Sequence, residues 1–253
     1  MTTTSESLYT RKEQHIAWLT FAHPKGNCLT KNLLARLANS FNELSKNTTI
    51  KAIVIQSEGE KAFCSGASLH ELLEVKNLEE AIAFFSGFAL LLNAMRKCEK
   101  VIIGSVQGKS VGGALGLIAA CDYVLATEDA AVKLSELSIG IGPFVIAPAL
   151  ERKIGVSAFS QLSLDTKHWQ NAYWAKEKGL FNRVFENQKE LSVAVNHFTQ
   201  DISSYSFEAL LALKKCFWGA DTQHWEKLLF ERAKITASLA LSDETQEKLK
   251  RFK

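Results

Sequence analysis

The sequence predicts an α/β fold of stacked strand, loop and helix turns, followed by a mostly helical segment. Three observations lead there. Apolar strand-like runs, loops of small residues and helical stripes recur in that order as far as about Asn171. Runs such as "IKAIVIQSEG" are continuously apolar and bounded by a turn signal, which suits strands covered on both faces. Beyond Asn171 the pattern is dominated by helical stretches.

Taken in order, "QHIAWLTFAHP" alternates and stops at a proline, so it reads as a strand, with "LYTRK" before it as a hairpin partner. In "NCLTKNLLARLANSFNELSKN", Leu33, Leu34, Leu37, Phe41 and Leu44 share one helical stripe, with Thr30 placed to cap it. After the strand "IKAIVIQSEG" come the small-residue loop "AFCSGASL", a helix from about Leu78 to Lys97, and the strand "KVIIGSVQG". "GKSVGGALGLIAACDY" is then a loop running into an apolar helix, followed by the short strand "DYVLATE" and by "AAVKLSELSIGIGPF". The helical part carries Phe217, Trp218, Trp225 and Phe230, more large apolar surface than a short tail can bury alone. It is expected to pack on another subunit or back over the core.

Bulk properties bound the function. A chain of 253 residues with 47% hydrophobic and 23% charged residues can bury a full core without staples. A net charge of +3 with scattered lysines gives no nucleic-acid footprint, although a small phosphorylated ligand needs only a few lysines and backbone amides. The five cysteines, at 28, 64, 98, 121 and 216, have no CxxC spacing and read as buried thiols, so neither a metal site nor a disulfide set is expected. The N-terminal stretch lacks the apolar core of a signal peptide and no run reads as a membrane span, so the cytoplasm is the expected compartment.

Two loops share a form: Ser65-Gly66-Ala67 and Gly112-Gly113-Ala114 each follow a strand and precede a helix. Helix-start amides can receive an oxygen that gains negative charge, and small residues let it approach. One such loop would be explained by close helix packing; a pair at equivalent places suggests a shared chemical task.

Three blocks, "KAFCSGASLHEL", "SVQGKSVGGALGLIAACDYVLATEDA" and "LSELSIGIGP", resemble in order the signature blocks of the crotonase superfamily, the enoyl-CoA hydratases and isomerases. The resemblance implies a crotonase-type right-handed spiral of β-β-α turns, residues 1–190, and a C-terminal helical trimerisation region, residues 191–253. It implies a homotrimer or a dimer of trimers acting on acyl-CoA thioesters, with coenzyme A entering as part of the substrate and no separate cofactor. The oxyanion hole carries over to the backbone amides of Ala67 and Gly113, with Gly112 beside it expected to contact the substrate. Coenzyme A contacts carry over to Ser65, Ser68 and Leu69, with Lys25 for phosphate; Ser68 replaces the usual aspartate.

Family hydratases use two glutamates. Here the first position is Gly116, within the expected substrate site, and the second is Glu136, the expected proton carrier. An acid flanked by Leu134 and Leu137 would have a raised pKa. "GGALGL" with "GPFVIAPALERKIG" is similar to the 3-methylglutaconyl-CoA hydratases, implying a branched or carboxylated acyl group. The expected activity is hydration or dehydration of an α,β double bond. Its alternatives are 3-enoyl to 2-enoyl isomerisation using Glu136 alone, decarboxylation, and a non-catalytic role as acyl-CoA binder or assembly partner.

Overall fold

The computed structural model describes residues 5–219 and 223–252; of the helical stretch that the sequence predicts over "TQHWEKLLFERAKITASLAL", Thr222 lies outside them. The chain enters as a hairpin in which β1 (Ser7–Glu13) pairs antiparallel with β2 (Ile16–Ala22). Helix α1 (Lys31–Lys46) starts where the sequence predicts, the Thr30 hydroxyl accepting the Leu33 N–H at 3.0 Å. A repeating pattern follows. β3 (Ala52–Ser57) leads to β4 (Ala62–Cys64), α2 (Leu69–Glu74) and α3 (Leu78–Lys97). β5 (Val101–Val106) leads to β6 (Lys109–Val111) and α4 (Gly113–Ala119). β7 (Tyr123–Thr127) leads to β8 (Ala131–Lys133), a 3-10 turn (Glu136–Ile139) and α5 (Ala147–Leu164).

Each repeat gives a long strand to one sheet and a short strand to another. With β9 (Gln170–Asn171), α6 (Ala172–Glu177) and β10 (Arg183–Phe185), the larger sheet runs β1-β2-β3-β5-β7-β10, parallel except for its first pair. The smaller runs β4-β6-β8-β9, with only β9 antiparallel. This is the expected α/β architecture of β-β-α turns. The short strands β4 and β6 replace what the residues alone suggested were loops; at three residues each they carry too little periodicity to register.

The larger sheet is buried on both faces. Leu19, Phe21, Ile53, Ile55 and Ile102 face the main core with α1 and α3, while Trp18, Val54, Ile103 and Leu125 meet Leu191, Val195 and Ile202 of α7 (Gln188–Ser204) and Leu210 of α8 (Phe207–Trp218). Helix α3 is long and apolar enough to cross a membrane, yet Phe84, Phe85, Phe88, Leu91 and Met95 are buried in this core. Helix α9 (Gln223–Ala240) packs along α3, so this part of the tail folds back over its own chain, one of the two arrangements expected. Helix α10 (Asp243–Leu249) and a final 3-10 turn (Lys250–Phe252) then reach the turn at Glu136–Ile139. Four cysteines are buried as expected, but Cys216 is exposed, because α8 turns that face outward.

Candidate active site

The two small-residue loops stand against each other. A β-carbon on Gly66 would lie 2.6 Å from Val111 O and 3.4 Å from Gly113 N, so only glycine lets the first loop meet the second. Ala67 is held from behind by its bridge to Leu29, where Leu29 N donates to Gly66 O and Ser68 N to Leu29 O. Gly113 opens α4, and the Gly112 amide before it donates to Lys133 O. Among the described residues, the N–H groups of Ala67 and Gly113 donate to no acceptor in the chain. Two uncommitted amides on adjoining loops can hold an oxygen that gains charge.

Both loops line a cavity of about 350 Å³. Its walls are largely apolar: Leu72, Phe85, Phe88, Ile139, Ile141 and Ile146. Glu136 is the only titratable side chain among the lining residues. Its carboxyl lies over the second loop, since a β-carbon on Gly112 would stand 2.8 Å from Glu136 Oε1. The residue keeps some exposed surface, but its Oε2 is sealed from solvent and has no hydrogen-bond partner in the chain. Burial pushes the carboxyl up to about 7, partly opposed by the backbone N–H groups of Ser135 and Glu136. Such a group exchanges a proton readily near neutral pH.

A second cavity of about 420 Å³ adjoins the first, sharing Ser65, Ala67, Leu69 and Phe252 with it. Lys25, Ser68 and Cys28 line it as well, so the four residues expected at coenzyme A are brought together along one groove. Ser65 Oγ donates to Lys25 O at 3.0 Å, tying the loop after β2 to the loop after β4. Ser68 caps α2 by accepting the Glu71 N–H.

Gly116 is placed otherwise than expected. It does not line the cavity, because a side chain there would run into Ile146, whose Cβ stands within 2.8 Å of the position a β-carbon would take. Ile146 therefore fills the space in which a second acid would have to stand. Sequence reasoning also missed Thr236 and Phe252, which complete the wall from the helical tail. No local pattern marks them; only the return of the tail along α3 brings them near. Among the described residues there is no cluster of metal-ligating side chains.

Comparison with known proteins places the chain among enoyl-CoA hydratases and isomerases by sequence and fold. The family described as enoyl-CoA hydratase/isomerase matches residues 11–253. The Bacillus subtilis protein YngF, which carries the name of an enoyl-CoA hydratase/isomerase, is 33% identical over 181 residues, covering 70% of this chain and 68% of its own. The mitochondrial Delta(3,5)-Delta(2,4)-dienoyl-CoA isomerase of Mus musculus is 28% identical, covering 78% of this chain and 64% of its own. Among solved structures, the enoyl-CoA hydratase of Bacillus halodurans superposes with a TM-score of 0.90 at 22% identity, covering 96% of this chain and 99% of that one, a likeness of fold.

Proposed function

The chain belongs to the enoyl-CoA hydratase/isomerase family, and from that premise we propose that it isomerises a 3-enoyl-CoA thioester to the 2-enoyl form through a single acid. Glu136 as carboxylate removes a proton from the α carbon, and the electron pair spreads onto the thioester oxygen and the γ carbon. The Ala67 and Gly113 amides hold that oxygen, and one such donor typically contributes about 3 kcal/mol. Protonated Glu136 then returns the proton to the γ carbon, leaving the double bond at the α,β position. The observation that carries this reading is Ile146 over Gly116: one carboxyl faces the cavity, and the place of another is filled by carbon. Lys25, Ser65, Ser68 and Leu69 receive the coenzyme A portion.

Hydration is the second reading, supported by the Ser135 and Ser138 side of the cavity, where a water can be held beside Glu136. A carboxylated, branched acyl group fits less well than the local sequence implied. The lining offers it no cation, and Glu136 would meet it with like charge. A trimer or pair of trimers remains the assembly we propose, supported by the exposed Val156, Leu164, Leu213 and Phe217 on α5 and α8.

Parallel assays on a 3-enoyl-CoA, a plain 2-enoyl-CoA and a branched carboxylated 2-enoyl-CoA test the reading. Isomerisation is expected to be fastest, and Glu136→Gln to lower it by about two to four orders of magnitude with the fold retained. Rapid hydration of the plain substrate would establish the second reading instead. Undiminished turnover by the variant would remove Glu136 from the chemistry, and thioester binding without any turnover would make the chain a binder.

A further inference from the structure

The 3-10 turn that carries Glu136 is only four residues long and is closed locally: Ser138 N donates to Ser135 O at 3.0 Å, and Gly140 N to Leu137 O and Ile141 N to Glu136 O at 3.1 Å each. A turn this short leaves the carbonyls at its C-terminal end without internal partners. Ser138 O and the carbonyl of Gly140, which caps the turn, are met from α10 and the 3-10 turn after it. Thr245 Oγ1 on α10 donates to Gly140 O at 2.9 Å, and Arg251 Nη2 on the final turn donates to Ser138 O at 3.1 Å.

The first contact is closely fitted. Thr245 is fully buried, and a β-carbon on Gly140 would run into its hydroxyl, so the glycine makes room for the donor. Ser242 caps α10 by accepting the Thr245 N–H at 3.3 Å, which fixes the residue's backbone. The second contact is steadied by stacking, the Arg251 guanidinium lying 4.9 Å from the Phe252 ring centroid. Phe252 in turn lines both cavities, so the contact reaches the site wall.

We propose that Thr245 and Arg251 are positioning residues, which hold the Glu136 turn against the Gly112 backbone through these two hydrogen bonds to its carbonyls. Neither touches the cavity where the proton would move. They act by keeping the turn closed, so that the Glu136 carboxyl stays beside the second loop and out of water. No other titratable side chain lines that cavity, so Glu136 alone reports its state there. The catalytic consequence rests on the reading of Glu136 as proton carrier; the structural consequence does not.

The test compares Thr245→Val, which keeps shape and loses the hydroxyl, with Thr245→Ser, which keeps the hydroxyl, and with Arg251→Met. Amide hydrogen exchange over residues 137–141 is read without substrate, and kcat, KM and the pH profile are read with the 3-enoyl-CoA. Thr245→Val is expected to speed exchange on the order of fivefold to tenfold and to lower kcat about tenfold to a hundredfold. KM should change little. The acidic limb of the kcat profile should move to lower pH as water reaches the carboxyl. Thr245→Ser should restore both readouts, and Arg251→Met should shift them in the same direction by less.

Wild-type exchange and an unmoved limb in Thr245→Val would overturn the proposal. If Glu136→Gln keeps full turnover while Thr245→Val still loosens the turn, the proton-carrier reading fails and the positioning role stands. Arg251 is exposed, so should Thr245→Val fail to fold, Arg251→Met carries the test: unchanged exchange and profile there overturn the proposal.

Discussion

Glu136 holds two properties that conflict, a sealed carboxyl oxygen and a position facing the cavity, and the conflict should be measurable as stability. Its pKa is raised from 4.5 to about 7 by burial, so the folded chain prefers the neutral acid. The unfolded chain ionises first as pH rises. The stabilising share of the neutral form is complete below about pH 4.5, is lost as pH rises to about 7, and changes no further above that. The loss amounts to about 3 kcal/mol at most. Urea unfolding at about pH 5 and about pH 8 should show a fall in wild-type stability that Glu136→Gln lacks; equal pH dependence in the two proteins would contradict the burial described. The direction of the pKa shift was legible from Leu134 and Leu137 beside the acid, but Leu137 is exposed and the cavity walls described above do the burying. The covering of Gly116 was not legible, since Ile146 meets it only after the chain has passed through β7, β8 and the 3-10 turn.

At the scale of elements, long periodic segments were readable and short or interrupted ones were not. Helix α1 displays its apolar stripe and its cap in one continuous stretch. Removing that cap by Thr30→Ala should cost about 1 kcal/mol, read as a lower urea midpoint with unchanged slope; a midpoint equal to wild type would show that the Leu33 N–H finds another acceptor. Helix α5 escaped notice because its sequence carries a proline and a glycine. Pro148 sits in the first turn, where a missing N–H costs nothing, and Gly155 breaks the helix with φ 73° and ψ 161°. The strands β4 and β6 were hidden for another reason: each is three residues long, and its pairing partners lie in the neighbouring repeats.

On the scale of the whole molecule, the helical tail is fastened to the repeats by polar contacts as well as by packing. Lys214 on α8 meets Asp122 at 2.7 Å with both side chains almost fully buried, and the same carboxyl oxygen accepts the Ile102 N–H of β5 at 2.8 Å. Arg152 on α5 donates to Ala119 O and Phe217 O and lies 3.9 Å from the Trp218 ring centroid. With α5 and α8 joined in this way, their exposed Val156, Leu164, Leu213 and Phe217 belong to a braced surface. Light scattering on the purified protein should give a mass of three or six chains, and a monomer at micromolar concentration would refute the assembly. The order of the repeats was readable because each is local, whereas the reach of the tail was not, because its contacts span the chain. That span has a consequence for synthesis. Gly140 must wait for Thr245, 105 positions later, and Ser138 for Arg251, 113 positions later. At about 5 to 20 residues per second, the interval is on the order of 5 to 20 s. A nascent chain therefore has the Ala67 and Gly113 loops in hand well before Thr245 and Arg251 emerge to fasten the turn that carries Glu136.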